Sequence, residues 1–365
     1  MKSIKLDIPF LISTVILIVG GFLIFSSAAM GLLTAKSGNY SSVSFNQIFF
    51  GLFLGLLACI ITSQIDYKLY RKYSFWIFVL SVIATLLVFV PHLGSAHGGA
   101  NRWIYIGPLS IQTSELLKIG YIMYLAAWLA VKDKAKNFKS GFLPFVILSA
   151  VVCLVLLKQP DTDTFIITFF AGLAIFFTAG GRWRYIFLLA FIGILGLGFI
   201  ATMRPYVMSR FDTFLNPGQN SLTSGYQIEQ SLIAVGSGGF GGRGFGQSIQ
   251  KFNYLPEPIG DSIFAVASEE FGFVGAASIV LLFVFFAFRG LKIAGKVPDS
   301  YGRLLVVGIV IMIVSQAFVN IGAMVGVLPL SGIPLPFVSH GGTALFMTLA
   351  EVGIVLNVSK SAKKK

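Results

Sequence analysis

The sequence predicts an all-α, polytopic membrane protein. Of its 365 residues, 56% are hydrophobic and only 11% are charged, whereas soluble domains carry about 25% charged residues. The mean hydropathy is +0.86, and long apolar runs recur along the whole chain. Charged side chains this sparse cannot cover the surface of a soluble globule, so the composition excludes a water-soluble enzyme.

Ten apolar runs are at least about 17 residues long, which is the length a helix needs to cross a bilayer. In chain order they cover 9–33, 44–65, 73–92, 115–131, 141–157, 163–180, 184–202, 263–288, 302–327 and 341–358. The first run follows Lys2 and Lys5 and is too long for the apolar core of a cleavable signal peptide. We therefore interpret it as the first spanning helix.

Basic residues cluster in alternate loops. With the N-terminus inside, 19 of the 27 lysines and arginines fall on the cytoplasmic side, as the positive-inside rule requires. The pattern predicts that both termini are cytoplasmic and that a long outer loop, about 203–262, joins the seventh and eighth spans. Two further outer loops, 93–114 and 328–340, hold many of the remaining distinctive residues.

The net charge of +13 is explained by this topology, so no nucleic-acid partner is predicted. The C-terminal lysines could contact anionic membrane lipid, but a topology determinant or solvated tail is the favoured interpretation. Cys59 and Cys153 lie in separate apolar runs without a CxxC motif or a neighbouring histidine, which does not indicate a metal site.

Asp261 lies where the long outer loop meets the eighth span, after the irregular stretch 256–260. Two interpretations compete: the carboxylate caps the helix, or it is a general base facing a cavity at the membrane surface. Glu257 precedes it. Glu269 and Glu270 follow inside the span, where carboxylates are costly, and they more readily form structural hydrogen bonds or ion pairs.

The same loop is rich in glycine and contains two GxGxxG matches, from Gly236 and Gly239. Without a strand before and a helix after them, these matches are weak signals of nucleotide binding. A flexible, close-packed loop over a membrane cavity is the favoured interpretation. Its backbone amides could still meet phosphate oxygens, with Arg243 and Lys251 supplying charge.

The other two outer loops carry further polar candidates. Arg102 lies beside Trp103 in the first of them, and Gln112, Glu115 and Lys118 follow at the start of the fourth span. Glu115 and Lys118 have the i, i+3 spacing of a local ion pair, although two charges entering a bilayer also indicate a polar cavity.

The third outer loop, rich in proline and glycine, reads as a broken, re-entrant stretch that ends at Ser339 and His340. Irregular backbone at such depth requires cover from protein or water. His340 could carry protons, but no second histidine or cysteine lies near it in the sequence, so a structural role is favoured.

Taken together, these segments resemble the SEDS family of bacterial membrane proteins, which includes FtsW, RodA and SpoVE. The similar segments are Asn101–Trp103, Gln112–Lys118, Gln159–Asp161, Tyr226–Gln227, Gln230–Ala234, Gly236–Gly239, Leu255–Glu257 and Gly332–Ser339. They span nearly the whole chain. The run Gln247–Lys251 followed by Tyr254–Glu257 is more similar to the FtsW branch than to the RodA branch.

The resemblance implies a single transmembrane domain over 1–365 in the bacterial cytoplasmic membrane. It implies a peptidoglycan glycosyltransferase that polymerises lipid II at the outer face, for cell division or cell-shape maintenance. It also implies partners: a class B penicillin-binding protein, which is a transpeptidase, and other membrane proteins of the divisome or elongasome. The essential aspartate of the family falls on Asp261.

This chemistry needs a base for the acceptor hydroxyl and cations for the leaving pyrophosphate. We predict Asp261 as the base and Arg102, Lys118, Arg243 and Lys251 as the pyrophosphate-binding residues. The predicted supporting residues are Gln112, Glu115, Glu257, Glu269, Glu270, Ser339 and His340. A divalent cation, Mg²⁺ or Mn²⁺, could share the charge stabilisation. The short turn Lys158–Asp163 could contact metal or phosphate, although turn chemistry is the favoured interpretation of its proline and aspartates.

The chain departs from the family pattern in four places. It has Ile259–Gly260 in place of His-Thr, Thr162–Asp163 in place of Leu-Gly, Thr113 in place of Pro, and His340 in place of Tyr. The alternative function is a lipid II flippase, which requires polar residues reaching both membrane faces. The distinctive polar features gather on the outer side, and this asymmetry favours an enzyme.

Overall fold

A computed structural model describes residues 6–33, 40–90, 94–97, 100–106, 109–203, 205–216 and 224–362. A helix occupies each of the ten predicted ranges, so the helical, polytopic fold is confirmed. The α-helices are α1 (Ile8–Ala29), α2 (Tyr40–Phe45), α3 (Gly55–Gln64), α4 (Tyr67–Leu87), α5 (Thr113–Leu129), α6 (Leu143–Lys158), α7 (Thr162–Thr178), α8 (Trp183–Met203), α9 (Pro205–Leu215), α10 (Ser224–Ser237), α11 (Ile263–Lys296), α12 (Ser300–Met324) and α13 (Gly342–Ser359).

Several spans are composite. The first continues beyond α1 as a 3-10 turn over Met30–Leu33, and the second joins α2 to α3 through a π-helical stretch, Asn46–Leu54. Among the described residues, eight helical segments are long and apolar enough to cross a membrane, and α7 is a shorter apolar helix. The third span begins at Tyr67, earlier than predicted, because the Asp66 side chain accepts a hydrogen bond from the Lys68 amide and caps the helix.

The centre of the bundle is formed by α12 and α13, whose residues are mostly buried. Helix α12 contacts α5, α7 and α11, while α13 packs along α3. By contrast, α8 is exposed along most of its length, with Phe187 70%, Ile194 68% and Phe199 61% exposed. An apolar helix this exposed is suited to face lipid.

The loop before α5, which was predicted to be an outer loop, forms a small antiparallel sheet that the all-α prediction omitted. Its strands are β1 (Gly94–His97), β2 (Ala100–Ile106) and β3 (Leu109–Gln112), in the order β1-β2-β3. Trp103 pairs with Gln112 across β2 and β3. Strands this short lack the extended alternation of apolar and polar residues that predicts a β-sheet from a sequence.

The segment between α8 and α11, which was predicted to be the long outer loop, contains α9 and α10 and then a glycine-rich segment that docks on a break in α11. The break is at Gly272, whose φ of 64° and ψ of −163° leave the helical region. Amides of the glycine-rich segment replace the lost helical bonds: Arg243 N donates to Glu269 O at 3.0 Å, and Gly244 N donates to Glu270 O at 2.9 Å. The segment is therefore docked by regular backbone bonds, whereas the sequence predicted a flexible loop.

Glycine is required at the closest approach. A Cβ at Gly242, where φ is +81°, would lie 2.1 Å from the Glu270 carbonyl oxygen. A Cβ at Gly272 would lie 2.3 Å from the Gly242 nitrogen. Two backbone segments thus meet at a distance that only glycine permits.

Candidate active site

Asp261 lies in the turn that precedes α11. The helix begins at Ile263 with Ser262 at its N-cap and no side-chain capping bond, so the interpretation of Asp261 as a helix cap is wrong. The Asp261 carbonyl oxygen accepts a hydrogen bond from Asn320 Nδ2 at 2.8 Å. Within the described residues, no group donates a hydrogen bond to its carboxylate, which is partly exposed.

The Asp261 turn is fastened to the loop before α13. Ser339 Oγ donates to the Gly260 carbonyl at 2.7 Å and accepts from the Leu335 amide at 2.8 Å. The His340 amide donates to the Ile259 carbonyl at 2.7 Å. Ile259 and Gly260 enter these bonds through their backbones alone, so they replace the family's usual His-Thr without loss of these contacts.

The His340 ring stacks on Phe25, with 5.9 Å between ring centroids. Its Nδ1 has no hydrogen-bond partner among the described residues. Burial lowers the pKa of His340 to about 4, which keeps the ring neutral near pH 7. These contacts favour the structural interpretation of His340 over that of a proton carrier.

Four charged side chains surround the Asp261 carboxylate. They are Glu257 in the same loop, Asp163 on α7, Arg210 on α9 and Arg102 on β2. Burial is the main cause that raises the pKa of Asp261 to about 7, and the negative charges of Glu257 and Asp163 add to it. The two arginines act in the opposite direction. A carboxylate that titrates near neutral pH is suited to general base catalysis.

The Arg102 side chain reaches from the small sheet to the turn between α6 and α7. Its Nε donates to the Gln159 carbonyl at 3.2 Å, and its Nη2 donates to the Pro160 carbonyl. Its Nη1 lies 4.0 Å from Asp161 Oδ1. These contacts hold a partly exposed guanidinium beside the turn between α6 and α7.

The ion pair between Glu115 and Lys118 is present, with 2.8 Å between Lys118 Nζ and Glu115 Oε1. Lys118 also donates to Gln316 Oε1 at 3.0 Å, and Gln316 Nε2 donates to the Pro334 carbonyl at 3.1 Å. Both charged side chains are about 5% exposed. The pair therefore supports the loop before α13 from inside the bundle.

Glu270 and Lys251 form a separate buried cluster. Lys251 Nζ lies 2.8 Å from Glu270 Oε1 and also donates to Ser27 Oγ and the Gly246 carbonyl, each at 2.9 Å. Neither side chain is more than 1% exposed. An ammonium group enclosed in this way cannot reach a bound substrate, so the predicted pyrophosphate-binding role of Lys251 does not fit the structure.

Arg243 and Glu269 belong to the same cluster. Arg243 Nε lies 3.4 Å from Glu269 Oε1, and Glu269 also accepts hydrogen bonds from Ser248 Oγ at 2.6 Å and the Ile249 amide at 3.1 Å. The structure thus does not bring Arg243 into the group of charges around Asp261.

Gln112 ends β3, partly buried, directly before α5.

The structure adds three residues that the sequence did not single out for the site. Arg210 Nη1 lies 2.5 Å from Asp163 Oδ2, which also accepts a hydrogen bond from the Gly332 amide at 3.2 Å. A Cβ on Gly332 would lie 3.7 Å from Asp261 Oδ2 and 3.8 Å from Arg210 Nη2. In the sequence Arg210 is one of several cations in the predicted outer loops, and no neighbouring residue distinguishes it from Arg243 as a candidate for the site.

An apolar cavity of about 410 Å³ lies between α6, α7 and α8. Its walls include Ser149, Cys153, Phe165, Phe169, Leu189 and Gly193. Phe165 follows Asp163 by two positions, so the cavity starts less than one helical turn from the charged group around Asp261. Within the described residues, no group of three or more His, Cys, Asp or Glu side chains is arranged to hold a metal ion.

The family model described as "Cell cycle protein", for FtsW, RodA and SpoVE, matches residues 8–364. The chain belongs to this family. It is therefore a multi-pass protein of the bacterial cytoplasmic membrane, as the resemblance implied.

Relatives within the FtsW, RodA and SpoVE family cover most of the chain. The chain is 37% identical over 364 residues to stage V sporulation protein E of Bacillus subtilis, covering 99% of each protein. It is 40% identical over 311 residues to a probable peptidoglycan glycosyltransferase FtsW of Geobacter metallireducens, covering 85% of this chain and 83% of the relative.

Solved structures of the family share the fold. A chain from a peptidoglycan synthase complex, described as coordinating polymerization and crosslinking, has a TM-score of 0.81 and 26% identity and covers 99% of both chains. The crystal structure of the rod shape determining protein RodA of Thermus thermophilus has a TM-score of 0.73 at 24% identity, covering 100% of both chains. The second likeness concerns the fold alone.

Proposed function

We propose that this chain is a peptidoglycan glycosyltransferase that polymerises lipid II at the outer face of the membrane, in cell division or cell-shape maintenance. The observation that carries the proposal is the Asp261 carboxylate. It is partly exposed, has a pKa raised to about 7 and is flanked by two arginines. Relatives named as probable peptidoglycan glycosyltransferases support the same reaction.

The reaction forms one bond and breaks one. The acceptor sugar hydroxyl attacks the anomeric carbon of the donor sugar while the bond from that carbon to the pyrophosphate oxygen breaks. Asp261 takes the hydroxyl proton, and the polyprenyl pyrophosphate leaves with the bonding electron pair. A base whose pKa lies near the working pH serves this transfer well.

Arg102 and Arg210 are the cations that face Asp261, and we assign them to the leaving pyrophosphate. Guanidinium groups bind phosphate oxygens in a bidentate geometry and stay charged at every physiological pH. Lys118 acts indirectly in this proposal, by holding Gln316 and, through it, the loop that carries Gly332.

The apolar cavity between α6, α7 and α8 is proposed to hold part of the polyprenyl chain. The lining residues Ile166 and Phe170 follow Asp163 by three and seven positions, so they lie on the same face of α7 as Asp163. A substrate with a pyrophosphate head and a long apolar tail needs a charged group and an apolar wall side by side. The exposed helix α8 forms one side of this cavity and leaves it accessible from the lipid.

The proposed partner is a class B penicillin-binding protein. The support is the likeness to a chain of a peptidoglycan synthase complex that coordinates polymerization and crosslinking. A transpeptidase is the enzyme class that would crosslink the strands that this chain makes.

The test is polymer formation by the purified full chain from purified lipid II, alone and with a cognate class B transpeptidase. Wild-type protein is expected to form glycan polymer, and Asp261→Ala is expected to form none while unfolding at a temperature no lower than that of wild type. Asp133→Asn is the matched control, since Asp133 lies in an exposed ion pair with Lys136 on the predicted cytoplasmic side. Unchanged polymer yield with Asp261→Ala would remove the catalytic assignment. Translocation of lipid II in liposomes without polymer would favour the flippase.

A further inference from the structure

Asp163 is the second residue of α7 and stands where the family usually has glycine. Its carboxylate joins three segments that are remote in sequence. Oδ2 lies 2.5 Å from Nη1 of Arg210, 47 positions along the chain on α9. The same oxygen accepts a hydrogen bond at 3.2 Å from the amide of Gly332, 169 positions along the chain in the loop before α13.

This junction lies directly against the Asp261 carboxylate. A Cβ on Gly332 would be 3.7 Å from Asp261 Oδ2 and 3.8 Å from Arg210 Nη2. Arg210 therefore presents one nitrogen to Asp163 and the other to the space beside Asp261. The Asp163 and Arg210 side chains are only 20% and 30% exposed, which limits the other positions open to the guanidinium.

We propose that Asp163 is a positioning residue for glycosyl transfer, which holds the Arg210 guanidinium and the Gly332 backbone at the edge of the Asp261 carboxylate. The inference rests on the proposed function of the site. Without the carboxylate, α9 and the loop before α13 lose their shared anchor on α7.

The arrangement makes a specific prediction for the pH dependence of the reaction. Asp261 is faced by Glu257 from its own loop, Asp163 from α7, Arg210 from α9 and Arg102 from β2. The Asp163 charge raises the pKa of Asp261, and the Arg210 charge lowers it. Removal of the Asp163 charge therefore lowers this pKa, while removal of the Arg210 charge raises it. If Asp163 and Arg210 only supported the fold, their removal would not shift the pKa of Asp261 in opposite directions.

The test measures kcat/KM for polymerisation of lipid II by the full chain between about pH 5 and about pH 9. In Asp163→Asn the acid limb is expected to move to lower pH, so that the rate at about pH 6 relative to the plateau rises at least about twofold. In Arg210→Gln the same ratio is expected to fall at least about twofold. Asp163→Gly, which restores the family's usual residue, serves as the second variant if the asparagine protein does not fold.

The results that would contradict the proposed function differ from those that would contradict the role of Asp163. A wild-type protein that forms no polymer overturns the proposed function. Active variants whose profiles do not move, or move in the same direction, overturn the role of Asp163. A double-variant cycle on thermal unfolding tests the contact without activity, with Asp133→Asn and Lys136→Gln as the matched exposed pair. Coupling between Asp163 and Arg210 no larger than in that pair also overturns the inference.

Discussion

Two groups of carboxylates flank the start of α11 and differ in how they are satisfied. Glu269 and Glu270 are buried and accept hydrogen bonds from Ser248, Ser27 and backbone amides, with Lys251 completing the pair. Asp261, a few residues earlier, is partly exposed, and its carboxylate receives no hydrogen bond from the described residues. A buried carboxylate with a full set of hydrogen-bond donors fixes the backbone around it. The one without donors is available to take a proton.

The comparison also explains two roles of charge in an apolar protein. The glutamate cluster ties the glycine-rich loop to the break in α11, and this loop precedes the turn that carries Asp261. The buried cluster of Glu269, Glu270 and Lys251 thus fixes the backbone around the site. The Asp261 carboxylate, which is partly exposed, is available for the reaction. Each of the following predictions changes one side of this contrast.

The largest expected effect on stability comes from Lys251→Met. It leaves the Glu270 carboxylate buried without its cation, and the loss of one partner of a buried pair costs about 3–5 kcal/mol. Thermal unfolding of the purified protein in detergent measures it. Lys136→Met is the matched control, because the Lys136–Asp133 pair is 55% and 51% exposed and such pairs contribute at most about 1 kcal/mol. Equal unfolding temperatures for the two variants would contradict a stabilising role for the buried Lys251–Glu270 pair.

A smaller effect is expected from Gly242→Ala. The added Cβ would lie 2.1 Å from the Glu270 carbonyl oxygen at a φ of +81°, so the loop must move away from α11 at a cost of about 1–3 kcal/mol. Gly241→Ala is the control, since nothing lies within 4 Å of its Cβ position. Unfolding temperature measures both, and equal losses would show that the docking of the loop contributes little.

At the Asp261 turn, Ser339→Ala removes the hydroxyl that donates a hydrogen bond to the Gly260 carbonyl and accepts one from the Leu335 amide. The expected loss of stability is about 1 kcal/mol, with a larger proportional loss of polymerisation because the Asp261 turn is no longer fixed. Ser278→Ala is the control, since its exposed hydroxyl bonds only to the Val274 carbonyl one turn earlier. A fall in stability with unchanged polymerisation would mean that the turn keeps its position without Ser339.

A further effect is expected on the pH dependence of stability. Burial raises the pKa of Asp261 from 3.8 to about 7, so the folded state holds this proton more tightly than the unfolded state does. The favourable contribution is fully present below about pH 4 and is lost as the pH rises through about 7. Asp261→Asn should therefore unfold at a higher temperature than wild type at about pH 8, with the difference shrinking toward about pH 5. A constant difference would contradict the raised pKa.

Much of the fold follows from the sequence because length and apolar content decide whether a segment spans a bilayer. All ten ranges contain helices, and the start of α11 at Ile263 was predicted. The small sheet over Gly94–Gln112 and helices α9 and α10 were not, because short amphipathic elements between spans leave weak patterns.

The site was predicted in part. Asp261 was identified by its position at a loop–helix junction and by resemblance. The cations were harder to assign, because Lys251 and Arg210 carry the same kind of charge in the same loop. Only the tertiary contacts show that Lys251 is enclosed by Glu270 and that Arg210 lies beside Asp163. Sequence identifies the residue types on one side of a membrane, but not which charges are already paired.

The most direct test of the contrast is the polymerisation rate of Asp261→Asn at about pH 8, where the wild-type carboxylate is ionised. We expect a rate at least about 100-fold below wild type, from a protein that is folded and no less stable. A rate within about threefold of wild type would show that the open carboxylate is not the base of the reaction.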